Sequence, residues 1–212
     1  MTVSAHELRA GDAVDHAVGA LRAGKPVVLP TDTVYGLCAD PYRESSVLRA
    51  YRLKGRSEAQ PSALTAADLD FLFECVPELR GRSGTIARAL LPGPYTLVLP
   101  NPGRRYRWLT GSNPDTIGVR VPELTGPGAS VLQRFGAVMA TSANFAGGPD
   151  PRKLEDIPAE LRSGCAAVVD GGELPGIPST VLDFTGPEPR VLREGAAPAA
   201  EALERAREAL PA

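Results

Sequence analysis

Short apolar runs alternate with amphipathic stretches along nearly the whole chain, and most of the runs end in small polar residues. Gly11 to Ala23 places Ala13, Val14, Ala17, Val18 and Leu21 on one face at helical spacing, and Gly24 is a natural stop. Pro26 to Pro30 reads as a first buried strand, handing over at its C-terminal end to an exposed loop through Thr31-Asp32-Thr33 and Tyr35-Gly36. Ser45 is placed to cap a helix running through Val47, Leu48 and Tyr51 to a Lys54-Gly55-Arg56 turn. Pro61 to Thr65 is a short strand candidate, and Ala66 to Val76 a helix with Leu69, Leu72 and Phe73 inward. A helix from Gly84 to Leu91 stops at Pro92-Gly93-Pro94. Strands follow at Tyr95 to Leu99 and Thr116 to Val121, then a helix from Gly128 to Phe135 and a strand from Ala137 to Ala140 that ends in Thr141-Ser142-Ala143-Asn144. A helix from Leu154 to Arg162, interrupted early by Pro158, strands at Ala166 to Val169, Ser179 to Phe184 and Arg190 to Leu192, and a terminal helix from Ala199 to Leu210 complete the pattern. It predicts an α/β fold in a single domain over 1–212, with a core from about 11 to 195 and a closing helix from about 199 to 210. The sheet is expected to be open, covered by helices on both faces, and mixed near its end, where strands follow one another directly.

Composition narrows the chemistry. The formal net charge of −2 gives no global attraction for nucleic acid or membrane. Cys38, Cys75 and Cys165 are odd in number and widely spaced, which supports neither a disulfide framework nor a zinc cluster. The only histidines, His6 and His16, lie near the N-terminus without a partnering motif. No apolar stretch approaches the roughly 20 residues that span a bilayer and no signal peptide is recognisable, so a cytoplasmic protein is expected.

Collected, the polar strand ends offer Thr31, Thr33, Tyr35, Lys54, Arg56, Thr116, Arg120, Ser142, Asn144, Ser179, Thr180 and Arg193. Hydroxyls, an amide and four cations, with no His or paired carboxylate, suit an anionic ligand, because Arg forks bind phosphate or carboxylate through two parallel bonds. Phosphoryl or nucleotidyl transfer can run on positioning and charge alone, with Mg2+ bridging phosphates. No GxxxxGK[ST] loop or GxGxxG fingerprint is present, so a nucleotide would be held in another way. The segment Arg104-Arg105-Tyr106-Arg107-Trp108 reads either as a surface that stacks on bases or as a loop pinned by its tryptophan.

Seven segments in order and spacing resemble the YrdC/Sua5 family: PTDTVYGL at Pro30 to Leu37, KGR at Lys54 to Arg56, PGPYT at Pro92 to Thr96, VRVP at Val119 to Pro122, TSAN at Thr141 to Asn144, STV at Ser179 to Val181 and LREG at Leu192 to Gly195. The resemblance covers about Gly11 to Gly195, and the length matches the family's short, single-domain form. It implies an open twisted sheet with a concave, cationic cavity. It also implies L-threonylcarbamoyladenylate synthase activity, in which ATP, L-threonine and bicarbonate give threonylcarbamoyl-AMP and pyrophosphate for the t6A modification of tRNA. Lys54 and Arg56 would be catalytic. Thr33, Thr65, Arg120, Ser142 and Ser179 would meet L-threonine. Arg56, Gln60, Thr116, Asn144 and Arg193 would hold ATP, with Mg2+ bound through ATP and no metal ligand from the protein. Downstream tRNA threonylcarbamoyl transfer proteins are the implied partners, and direct tRNA binding is a further one.

Where the family usually continues after KGR with Pro, then Asn-Pro and a His-bearing strand, this chain has Ser57, Gln60-Pro61 and Thr65. Asp150 and Arg152 replace small hydroxyl residues in the loop after Asn144. Two other readings therefore stand beside the first: a diverged paralogue making another carbamoyl or acyl adenylate, and a non-catalytic RNA-binding protein of the same fold.

Overall fold

Nine strands hydrogen-bond into one sheet in the computed structural model, which describes residues 10–210. In chain order they are Val27–Pro30 (β1), Tyr35–Ala39 (β2), Ala63–Ala66 (β3), Tyr95–Pro100 (β4), Thr116–Arg120 (β5), Ala137–Ser142 (β6), Ala167–Val168 (β7), Thr180–Asp183 (β8) and Arg190–Arg193 (β9). Their spatial order is β7-β1-β2-β6-β3-β5-β4-β8-β9. The α-helices among the described residues are Ala10–Arg22 (α1), Glu44–Lys54 (α2), Leu69–Cys75 (α3), Gly81–Leu90 (α4), Gly126–Phe135 (α5), Ala159–Gly164 (α6) and Ala199–Ala209 (α7). None is long and apolar enough to cross a membrane.

The sheet is mixed throughout, not only near its end. Parallel pairs β1–β7, β3–β5 and β4–β8 are interleaved with antiparallel β1–β2, β2–β6, β3–β6, β4–β5 and β8–β9. The main cause is a strand concealed in the sequence. Thr31 to Val34 is not an exposed loop but the tight turn of a hairpin, and the chain returns at once as β2, buried along its whole length. The Thr31 hydroxyl builds that turn, donating to Val34 O at 2.7 Å while the amides of Thr33 and Val34 point back to it at 3.2 Å.

One smaller expectation changes, one holds and one open choice resolves. Arg43, not Ser45, occupies the N-cap of α2, with no side-chain cap bond. Pro158 interrupts the Leu154 to Arg162 helix as expected, leaving a 3-10 turn, Leu154–Asp156, and α6. The Arg104 to Trp108 segment is a pinned loop: Trp108 Nε1 donates to Pro41 O at 2.8 Å, and the Tyr106 hydroxyl donates to Cys75 O at 3.4 Å.

Strand alternation assigns the two faces different roles. Leu37, Leu64, Leu97, Val119, Met139 and Leu182 turn to one face and join the main core with side chains of α2, α3, α4, α6 and α7. On the opposite face a second apolar cluster, from Val14, Val18 and Leu21 of α1 and Val131 and Leu132 of α5, covers Leu29, Cys38 and Val138. That cover reaches only the β7-β1-β2-β6 side, so the same face of β3, β5, β4 and β8 lies open as a hollow. α5 closes tightly over the β1–β2 hairpin because Gly128 has no side chain. A Cβ there would overlap the Pro30 carbonyl oxygen. Gly128→Ala is expected to push α5 off the hairpin and cost about 1–3 kcal/mol, read as a lower urea midpoint with unchanged slope.

Candidate active site

The hollow is a cavity of about 520 Å³, within the roughly 300–1,000 Å³ range of ligand pockets. Its floor is one register row of the sheet: Ala140 lies opposite Ala63, Ala63 opposite Gly118, and Gly118 opposite Val98. Small side chains on this face leave a flat surface, and the charged and hydroxyl residues stand around it. Four arginines, Arg56, Arg120, Arg190 and Arg193, share the lining with two aspartates, Asp150 and Asp183. Asp183 is paired with Arg190 at 2.5 Å.

Lys54 and Arg56 reach the wall because α2 ends at Gly55, whose left-handed φ of 66° lets Arg56 N bond back to Tyr51 O at 2.9 Å. The reversal sends the two side chains to different tasks. Lys54 is buried behind the cavity, and Nζ donates to Ser142 O at 2.5 Å, Asn144 Oδ1 at 2.6 Å and Asn144 O at 2.7 Å. Hydrogen bonds to a charged group contribute about 1.5–3 kcal/mol each, so three of them offset the several kcal/mol that burying an ammonium costs. Burial, with Arg56 nearby, still lowers its pKa to about 8.

Asn144 is equally occupied: its amide nitrogen donates to Gly148 O and Pro149 O at 2.6 and 3.1 Å, and its oxygen also accepts from the Ser142 hydroxyl at 2.7 Å. Lys54 and Asn144 therefore stand behind the lining and shape the end of β6 and the loop after it, while Ser142 lines the cavity. Arg56 also lines it, donating to Pro61 O at 2.5 Å and lying 5.9 Å from the Tyr51 ring centroid.

At a second corner Arg120, the last residue of β5, pairs with Asp32 and donates to the Thr33 hydroxyl at 3.2 Å. Thr65 lies beside Arg120 in the β3–β5 register. Burial pushes the Asp32 carboxyl up in spite of the adjacent guanidinium. A third group joins the Ser179 and Thr96 hydroxyls at 2.8 Å, with Arg193 held against Ser179 O at 2.7 Å. Thr116 lines the cavity from the start of β5.

Not every expected residue arrives. Gln60 is exposed in the turn after α2 and outside the lining. The Tyr35 hydroxyl donates to Gly172 O at 2.7 Å on the core side, and Thr180 is spent on the backbone at Ala197. Arg152 pairs with Glu173 at 2.9 Å. His16 is exposed on α1, and His6 lies outside the described residues. The expected set lacked Asp32, Thr96 and Thr141, although all three sit inside the PTDT, PGPYT and TSAN segments. Five buried side-chain polar atoms among the described residues have no partner, and four belong to this wall: Asp32 Oδ2, Arg56 Nε, Thr65 Oγ1 and Arg120 Nε. Such a cluster marks a place where a ligand supplies the missing partners.

The family profile Sua5_yciO_yrdC, described as "Telomere recombination", matches residues 19–195. The chain belongs to this family. Among the relatives of this YrdC/Sua5 member, a threonylcarbamoyl-AMP synthase of Pyrococcus abyssi is 35% identical over 188 residues, covering 87% of this chain and 54% of its own. A threonylcarbamoyl-AMP synthase of Halorhodospira halophila is 35% identical over 175 residues, covering 80% of this chain and 89% of its own. The chain thus spans about half the length of the first relative and most of the second. Among solved structures, Pyrococcus abyssi Sua5 complexed with L-threonine superposes with a TM-score of 0.82 at 32% identity, covering 94% of this chain and 58% of that one. Escherichia coli YciO gives 0.76 at 27% identity, covering 88% of this chain and 90% of that one.

For this YrdC/Sua5 chain the floor and the Lys54 latch are separately testable. A Cβ at Gly118 meets nothing closer than 3.8 Å, so Gly118→Val is expected to keep the melting temperature while raising the floor and weakening ligand binding in the cavity, as read by calorimetry. As pH rises through about 8, Lys54 loses the proton that holds the β6 end, and ligand affinity is expected to fall. Stability moves the other way. The folded pKa lies below the ordinary 10.5, so between those values the unfolded chain binds more protons and the Lys54 contribution to unfolding free energy rises with pH. Affinity titrations and urea melts across pH 7 to 10 check both signs.

Proposed function

We propose that this chain is a threonylcarbamoyl-AMP synthase: it joins L-threonine, bicarbonate and ATP to give threonylcarbamoyl-AMP and pyrophosphate. The observation that carries the reading is the corner at Arg120, where a guanidinium, the Thr33 hydroxyl at 3.2 Å and the unpartnered Thr65 hydroxyl face one cavity. A carboxylate beside a hydroxyl and an amine is the ligand chemistry that corner fits.

The reaction asks mainly for positioning. The threonine amine adds to the carbon of bicarbonate-derived carbon dioxide and loses a proton. A carbamate oxygen then attacks the α-phosphorus of ATP, and pyrophosphate leaves. Both partners are anions, so Arg56 and Arg193 at the cavity wall lower their repulsion. The apolar Val34 and Val181 of the lining limit water near a labile mixed anhydride. Ser142, Ser179 and Thr116 supply hydroxyls, while Lys54 and Asn144 act on the wall that carries Ser142. Among the described residues no group of three His, Cys, Asp or Glu is placed to hold a metal. Mg2+ would enter on the phosphates of ATP, where it would neutralise charge. Proteins that pass the threonylcarbamoyl group to tRNA would consume the product.

Arg56→Ala is expected to lower threonine-dependent pyrophosphate release by at least about a hundredfold with an unchanged circular dichroism melt. Undiminished turnover would remove Arg56 from the mechanism. Pyrophosphate release driven by another amine would make the chain a paralogue, and salt-sensitive tRNA binding without turnover would make it an RNA-binding protein. Restoration of t6A in cells lacking their own synthase is the decisive positive result.

A further inference from the structure

Arg120 is the best placed cation for a substrate carboxylate, yet the nitrogen that any two-point grip needs, Nη2, is committed. Nη2 donates to Asp32 Oδ1 and to the Thr33 hydroxyl, which uses both of its hydrogens. Nε is enclosed without a partner. Among the described residues no hydrogen bond engages Nη1, so a carboxylate entering the cavity finds one nitrogen, not a fork. A two-point grip requires Nη2 to leave its present partners. The second Asp32 oxygen, Oδ2, is enclosed and unpartnered, so the internal pair is itself incompletely satisfied.

We propose that Asp32 is a positioning residue that occupies Arg120 as an internal carboxylate before substrate arrives and yields it to the substrate carboxylate on binding, taking up a proton as it does so. The inference rests on the reading of an amino acid at Arg120. Geometry carries it. The pair is nine-tenths buried on both sides, at 10% and 9% side-chain exposure, so neither partner can trade the other for bulk water. Thr33 holds the guanidinium from the same turn, and that turn is fixed by the Thr31 hydroxyl and by α5 above it. A carboxylate ligand is the partner that can replace Asp32 without leaving the guanidinium unpaired.

Once Arg120 turns away, Asp32 loses its adjacent cation. Its burial then favours the neutral form. The charged and titratable groups acting on the pair are Arg120 itself, Arg193 from β9 and Cys38 from β2. Binding therefore tightens as pH falls through the range where Asp32 is ionised before binding and protonated after it. The competitor also discriminates. A ligand that lacks a carboxylate has no means of displacing it and gains nothing from its removal.

The test is threonine binding by calorimetry in buffers of different ionisation enthalpy, with parent and Asp32→Asn. The parent is expected to take up protons on binding, increasingly toward pH 5. Asp32→Asn is expected to bind threonine about tenfold more tightly, without that uptake, and to leave the affinity for threoninol unchanged. Equal or weaker threonine binding by a folded Asp32→Asn, or retained proton uptake, overturns the proposal. If Asp32→Asn does not fold, the parent decides alone: proton uptake upholds the proposal, and its absence from pH 5 to 8 overturns it. Failure of the amino-acid reading is a different result, since the parent would then bind no threonine at all.

Discussion

A strand has two faces, and the alternation of side chains across β3, β5, β4 and β8 is the constraint from which the site follows. Leucine and valine at every second position bind the sheet to α2, α3, α4 and α7. The intervening positions are free for alanine, glycine, threonine and arginine only because no helix covers them. A slip of one residue in β5 would turn Arg120 into the core and Val119 into the cavity. The fold and the cavity are therefore one arrangement, held by the apolar burial of the opposite face.

Two buried cations then divide the work on the open face. Lys54 finds its oxygens within the protein and makes the end of β6 rigid, so its contribution passes through Ser142 and Asn144. Arg120 is left with an incomplete set: a pair to Asp32, a bond to Thr33 and an enclosed Nε with nothing to meet. Removing one partner from a buried pair costs about 3–5 kcal/mol, so such a residue stays where it is until a ligand offers an equivalent anion. The contrast between a satisfied lysine and an unsatisfied arginine separates wall from binding surface better than charge or motif does.

Most of the secondary structure was legible because its periods are clear. The α1 face of Val14, Ala17, Val18 and Leu21 and the TIGVR alternation of β5 can be read directly from the chain. β2 was not, because PTDTVYGLCAD carries a hairpin turn of four residues with no glycine or proline inside it, and the return strand is too uniformly buried to show a period of two. Taking that segment for a loop also hid Asp32, which lies between two recognised threonines. Gln60 and Tyr35 failed for the opposite reason: their chemistry was suitable, but strand direction and turn geometry pointed them elsewhere.

By itself the sequence determined the α/β class, the family motifs and the set of hydroxyls and cations gathered at strand ends, since periodicity and ordered segments are local properties of a chain. Tertiary structure alone decided the rest. It threaded β6 between β2 and β3, left half of one sheet face uncovered, set Lys54 behind the wall and Arg120 within it, and brought Asp32 onto that guanidinium across 88 residues of chain. Pairing and burial depend on which distant segments meet, and no local pattern records that. The PTDT segment thus emerges as a rigid hairpin turn whose middle residue holds the corner of the cavity.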